Sequence, residues 1–225
     1  MTAAQLINVL YSIVDRIYIG RLPHTSAEAL TGIGLTLPVI TIITAFANLF
    51  GMGGAPLCSI ARGEHNEEKA EKVMGNSFVL LLISGGVLMI LCLIFKRPLL
   101  YLFGASDVSW PYADQYITIY LLGTFFVMIS LGMNNFINAQ GFGKTGMLTV
   151  LLGAVLNIVL DPVLIFGFDM GVRGAAVATI ISQGASAFWV LKFLTGKKAL
   201  LHLNLKGMRL EWKRVKEIVP LGTSG

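Results

Sequence analysis

The sequence predicts an all-α, polytopic membrane protein built as a six-transmembrane-helix bundle. Three observations predict it. The chain of 225 residues is 55% hydrophobic and only 13% charged, whereas water-facing domains carry about 25% charge. Its mean hydropathy is +0.76. The charges are also segregated. Of 17 basic and 12 acidic residues, only Asp15, Arg16 and Asp161 fall inside the long apolar windows at more than two residues from an end. Helix is the only open option for each window, because lipid offers no hydrogen-bond partners to an unpaired backbone. Disorder, a basic nucleic-acid-binding domain and a disulfide scaffold are excluded. The two cysteines, Cys58 and Cys92, sit in apolar runs and read as packing residues.

The spans follow in order. Met1–Gly20 carries only Asp15 and Arg16 and has no polar flank before it, so it reads as a helix missing its beginning. An acid within it and the lack of a basic start argue against a secretory signal. Ala29–Leu57 and Val73–Phe95 are free of charge, as is Tyr112–Met133 apart from Asp114. Met147–Phe168 holds only Asp161, and Gly174–Leu194 only Lys192. Each has about the 18 or more residues a crossing requires. Residues 1–195 are therefore expected to form one lobe and 196–214 a basic connector. Residues 215–225 read as the start of a seventh span, cut short. Small residues at Gly171, Gly174, Ala175, Ala178 and Ser182 suit close helix approach in the sixth span.

Lysine and arginine set the orientation. Arg62, Lys69, Lys72, Lys144, Lys192 and seven further basic residues from Lys197 to Lys216 lie on one side. Arg21, Lys96, Arg97 and Arg173, with Arg16, lie on the other. This places the N- and C-terminal ends of the lobe in the cytoplasm, with the protein in the cell (inner) membrane. The stretch around Trp212 reads as a membrane-hugging basic segment.

Ionisable groups inside a span are costly and mark function by default. Asn157 lies one turn before Asp161 on the same helix face, and Pro162 follows directly. Proline has no N–H to give the carbonyl of Ile158 four residues back. A carboxylate, an amide oxygen and loosened carbonyls make an oxygen-rich place suited to a proton or a small hard cation. Asp15 has Tyr11 and Asn8 one and two turns before it. Counted from the outer helix ends, both aspartates lie about 8–10 Å deep at ~1.5 Å per residue. Tyr116 and Thr179 share that layer, and Gln183 follows one turn on. Asn8, Tyr11 and Gln183 are candidates for lining a substrate cavity. His24, His65 and His202 lie in or near loops and form no metal motif, and no phosphate-binding loop is present. The charged run Glu64–Lys72 reads as a solvated loop or helix start.

Four stretches resemble the N-terminal half of a multidrug and toxic compound extrusion (MATE) transporter. They are YSIVDRIYIG at 11–20, NAQGFGKTGM at 138–147, NIVLDPVLIFGF at 157–168 and GVRGAAVATIISQ at 171–183. The resemblance implies twelve spans in two six-helix lobes, and exchange of sodium or protons for small organic cations. It implies a cation site at Asp15, Asn157, Asp161 and Thr179, assisted by Tyr116, with Na⁺ or H⁺ as coupling ion and no cofactor. It also implies partners: the lipid bilayer and a C-terminal lobe absent from this sequence. A nucleic-acid partner is not expected. Two alternatives stay open: a lipid-linked oligosaccharide flippase of the same superfamily, and a non-transporting half-lobe or scaffold. An intramembrane enzyme would need a second nucleophile, base or metal pair in the spans, and none is seen.

Overall fold

The computed structural model describes residues 13–14, 16–21 and 26–223. Among these the secondary structure is helical, without strands. The elements are α1 (Ser26–Gly63), α2 (Glu67–Leu102), α3 (Trp110–Leu122), α4 (Thr124–Met128), α5 (Asn134–Ala139), α6 (Gly143–Pro162), α7 (Val172–Leu194) and α8 (Trp212–Thr223). Two π-helical stretches intervene, Ile129–Met133 and Val163–Gly167. Of the first expected span, residues 16–19 are helical and close in a turn, where Gly20 N–H donates to Arg16 O at 2.9 Å. Asn8, Tyr11 and Asp15 lie outside the described residues.

Among the described residues four helices are long and apolar enough to cross a bilayer, α1, α2, α6 with its π-helical extension, and α7, and a bent pair makes a fifth if it is one span. Their exposed surface is apolar, with Ile94 66% and Phe188 68% accessible, as expected of side chains that face lipid rather than water. α1 is 38 residues, or ~57 Å at the standard rise, well beyond the ~30 Å hydrocarbon layer. The helices outrun the expected spans because their polar ends stay helical. The run Glu64–Lys72 is mostly the first turn of α2. Asn66 caps it: its Oδ1 accepts the Lys69 N–H at 3.0 Å. Only a tight turn remains between α1 and α2, with His65 in the left-handed region at φ 58°.

The fourth expected span is not one straight helix. α3 and the helical stretch Thr124–Ala139 are bent by 63°. Gly123 marks the break, and its N–H is shared between the carbonyls of Ile119 and Tyr120. A Cβ at Gly123 would overlap the Ile180 side chain, so only glycine fits where α7 wedges against the bend. Thr124 then turns its hydroxyl back onto Leu121 O at 2.7 Å. Such identifiable local causes are what kinks require.

The chain divides into two compact units, each drawn from three segments. The first takes the described residues up to Ile42 with Val87–Thr124 and Val150–Ala185. Its core includes Ile117, Leu121, Ile165 and Ala175. The second takes Ile43–Gly86, Phe125–Thr149 and the described residues from Ser186 on. Its core is heavier, with Met74, Leu81, Met133, Phe136 and Ile137 fully buried.

In the second unit the basic connector is tied down rather than loose. Gln140 Oε1 accepts the N–H groups of Leu200 and Leu201, both at 2.9 Å. Glu71 accepts from His202 N–H at 2.9 Å and from Asn204 Nδ2 at 2.7 Å. Buried Asn76 donates to Gly207 O and Arg209 O and accepts from Glu211 N–H at 2.7 Å. Three side chains thus satisfy backbone groups that a non-helical segment cannot pair within itself. At the end of α5, Arg62 Nη1 and Ser59 Oγ both donate to Ala139 O. Replacing Asn76 by Ala removes three of the connector's bonds, each worth about 0.5–1.5 kcal/mol. Limited trypsin digestion is expected to cut at Lys206 and Arg209 about tenfold faster or more. An unchanged cleavage rate would show that Asn76 does not hold the segment.

Candidate functional site

The site is built in the first unit from α6 and α7. Asn157 and Asp161 are four apart on α6 and stack on one face. Both are buried, Asp161 completely. Thr179, on α7, is buried beside them. Asn157 Nδ2 donates to Asp161 Oδ1 at 3.3 Å and to Thr179 Oγ1 at 3.4 Å. The Thr179 hydroxyl in turn donates to Ala175 O at 2.9 Å, which fixes its oxygen toward α6. Asn157 is therefore the hinge of the cluster. Its amide spans two helices, while its own Oδ1 is buried with no hydrogen-bond partner among the described residues.

The sequence around these residues explains why they meet. Pro162 ends the regular ladder of α6 by withholding an N–H. The next five residues then widen into the π-helical stretch Val163–Gly167. It closes through Phe168 N–H donating to Val163 O at 2.9 Å. π-helical turns of this kind concentrate at functional sites. α7 restarts after Gly171, at φ +55°. It carries small residues at four-residue spacing, Gly174, Ala178, Ser182 and Ser186. A Cβ on Gly174 would come 2.7 Å from the Leu164 carbonyl carbon, so the π-helical backbone rests directly on α7. Close approach through small residues is the packing mode lipid favours.

The other expected site residues stand as follows. Tyr116 is buried on α3 of the same unit and stacks on Tyr120 at 6.2 Å between ring centroids. Gln183 is half-buried one turn beyond Thr179. Asp15, Asn8 and Tyr11 fall outside the described residues. One polar cluster was not anticipated. Lys96 Nζ lies 2.6 Å from Asp114 Oδ1 and donates to Thr118 Oγ1 at 2.9 Å. Lys96 follows one apolar window and Asp114 stands near the start of the next, and neither position alone points to the pair.

Chemically, the cluster gathers a carboxylate, an amide and a hydroxyl in a place that water does not reach. A fully buried carboxylate demands a proton, a cation or strong donors. Two neutral oxygens beside it match the all-oxygen coordination of a small hard cation. Among the described residues no group of three His, Cys, Asp or Glu gathers to hold a metal. The oxygens gathered here come instead from mixed side chains, those of Asp161, Asn157 and Thr179.

The packing of α6 on α7 makes a prediction. Gly174→Val pushes a branched side chain into the π-helical backbone, and overpacking of this kind costs about 1–3 kcal/mol. A lowered thermal midpoint in detergent is expected. Gly34→Ala, with nothing within 4 Å of the added methyl, is expected to leave the midpoint unchanged or slightly raised. Equal midpoints for Gly174→Val and the parent protein would contradict the packing.

Comparison with known proteins supplies the context. The MatE family model matches residues 1–163. The multidrug export protein MepA of Staphylococcus haemolyticus is 30% identical over 99% of this chain and 49% of its own length. That of Staphylococcus aureus strain NCTC 8325 is 29% identical over the same shares. A crystal structure of MATE in the bent conformation superposes with a TM-score of 0.90 at 28% identity, covering 98% of this chain and 49% of that one. An inward-facing multidrug resistance MATE transporter of the MOP superfamily gives 0.90 at 28% identity, over 99% and 49%. The chain spans about half the length of the curated relatives it matches. The fold, the apolar helices and these matches agree: the chain is a multi-pass membrane protein and belongs to the MatE family.

Proposed function

We propose that this chain is the N-terminal half of a cation-coupled antiporter, which exports small organic cations and drugs across the cytoplasmic membrane. The observation that carries the proposal is the contact of Asn157 with both Asp161 and Thr179. It joins two helices through a buried acid in a stretch that is otherwise uncharged. Relatives named multidrug export proteins support the cargo class. In this reading sodium or a proton enters at Asp161, with Asn157, Thr179 and Asp15 supplying oxygens and Tyr116 assisting. The half works with a second lobe of like size, and its N- and C-terminal ends face the cytoplasm. Asn8, Tyr11 and Gln183 line the cargo path. The chain acts as a transporter and not as an enzyme.

In this reading the coupling runs through that contact. When the Asp161 carboxylate is charged and empty, it draws the amide of Asn157. A proton or sodium ion neutralises it and releases Asn157 to bond elsewhere. The α6–α7 contact then exists in two arrangements, and the ion has to prefer one of them for exchange to occur. Each charge moved down a 100 mV potential supplies about 2.3 kcal/mol. Binding couplings of about 1–3 kcal/mol are the usual scale, or 5–150-fold in affinity.

The test is efflux of a fluorescent organic cation from cells making the transporter that contains this half. Asp161→Asn is expected to lower ion-driven efflux about tenfold or more. Thr179→Ser, which keeps the hydroxyl, is expected to retain most of it. Undiminished efflux by a well-expressed Asp161→Asn protein removes Asp161 from the mechanism.

A further inference from the structure

The second unit carries a cavity of about 560 Å³, lined by none of the residues proposed above for the ion or the cargo. Its apolar wall comes from Leu148 on the second turn of α6 and from Trp189 and Phe193 near the end of α7. Its polar wall is three lysines, Lys192 from α7 with Lys197 and Lys198 from the start of the connector. No carboxylate lines it. None of the three lysines forms an ion pair among the described residues, whereas Lys69, Lys72 and Lys96 all do. The wall is held in shape. Phe193 packs edge-on against Phe142 at 5.1 Å, and the connector leaving the cavity is pinned by Gln140 at Leu200 and Leu201.

The division of chemistry is informative. Three ammonium groups repel an organic cation, so this cavity is not suited to the exported cargo. They suit a phosphate. The remaining wall suits hydrocarbon: Leu148 and Trp189 are 46% and 39% exposed, and Phe188 beside them is 68% exposed. A tryptophan at the edge of an apolar surface next to lysines is the arrangement found at the headgroup level of a membrane. The volume lies within the about 300–1,000 Å³ of ligand sites. It holds a headgroup and the first carbons of its chains, with the chains continuing over the exposed apolar surface. A soluble phosphate would use the lysines and leave the apolar wall wet.

From this charge and shape complementarity we propose that the cavity between the α6 start, the α7 end and the connector binds an anionic glycerophospholipid. Lys192, Lys197 and Lys198 take the phosphate, and Leu148, Trp189 and Phe193 take the upper acyl carbons. Because the lysines bridge α7 and the connector, the lipid ties the two together. The site is independent of the exporter reading and requires only that the chain sits in a membrane.

Quenching of Trp189 by brominated lipid tests it. The full chain carrying Trp110→Phe and Trp212→Phe keeps Trp189 as its one tryptophan. It is reconstituted in phosphatidylcholine vesicles containing brominated phosphatidylglycerol, or brominated phosphatidylcholine as the neutral comparison. Half-quenching is expected at a mole fraction about tenfold lower for the anionic lipid. Each lysine near anionic lipid contributes up to about fivefold, so a tenfold preference asks for less than the full contribution of all three. The triple variant K192Q/K197Q/K198Q is therefore expected to lose the preference, and K192R/K197R/K198R to keep it. K206Q/K213Q/K216Q removes the same charge elsewhere and is expected to keep it too. Any of three results overturns the proposal. One is equal quenching by the two lipids in the parent protein. Another is loss of the preference in the distant triple variant as full as in the cavity one, which would mean general surface attraction. The third is complete displacement of the anionic lipid by inorganic phosphate at the same concentration, which would mean a soluble phosphate site.

Discussion

A carboxyl group with no exposure, carried on a helix that crosses lipid, has to be neutralised, paired or coordinated. Asp161 imposes that demand on everything around it. Asn157 must sit one turn earlier to reach it, and Thr179 must come close enough on α7 for the same amide to span both. That closeness needs small residues along α7 and a backbone on α6 that yields after Pro162. The π-helical stretch Val163–Gly167 resting on Gly174 supplies it. An ordinary α-helix with a bulky residue at 174 would hold the two helices apart. The amide would then lose one of its two acceptors.

The second unit works under a different constraint, that of a long non-helical connector beside a membrane. Its backbone groups are satisfied by Glu71, Asn76 and Gln140. Glu71 and Asn76 stand on α2, and Gln140 directly follows the last residue of α5. The two solutions are complementary. Polar side chains inside a span create a place where an ion is wanted, and polar side chains at a rim hold an irregular segment in register. The same rim leaves three lysines beside an apolar wall with no anionic partner among the described residues, which is why a lipid phosphate fits there.

Much of this was legible in the sequence. The segregation of charge gave the helices, and the Asn-x-x-x-Asp-Pro spacing on one helix face gave the pair on α6. The depth count brought Thr179 to the same layer, and the structure places it in contact. What escaped the sequence were departures from a straight helix. Gly123 is one of 25 glycines, and nothing local distinguishes it. Its missing side chain leaves the space that Ile180, far along the chain, occupies beside the bend. The clasp on the connector escaped for the same reason: Asn76 and Glu211 are 135 residues apart, and their pairing is a tertiary fact. Glu71 sits in a charged run that reads as solvated, yet both of its oxygens are used. The pairing of Lys96 with Asp114 was hidden because each charge, taken alone, is an ordinary rim residue.

The central claim is that Asp161 changes its charge state, or its bound ion, in the buried contact with Asn157 and Thr179. Infrared difference spectroscopy of the carboxyl stretch, recorded on the reconstituted protein while sodium is added or pH raised, reads that event directly. A protonated-carboxyl band that vanishes on titration in the parent protein, and is missing or clearly reduced in Asp161→Asn, is the predicted result. A spectrum that does not change on titration, or a band that titrates undiminished in Asp161→Asn, would contradict the account.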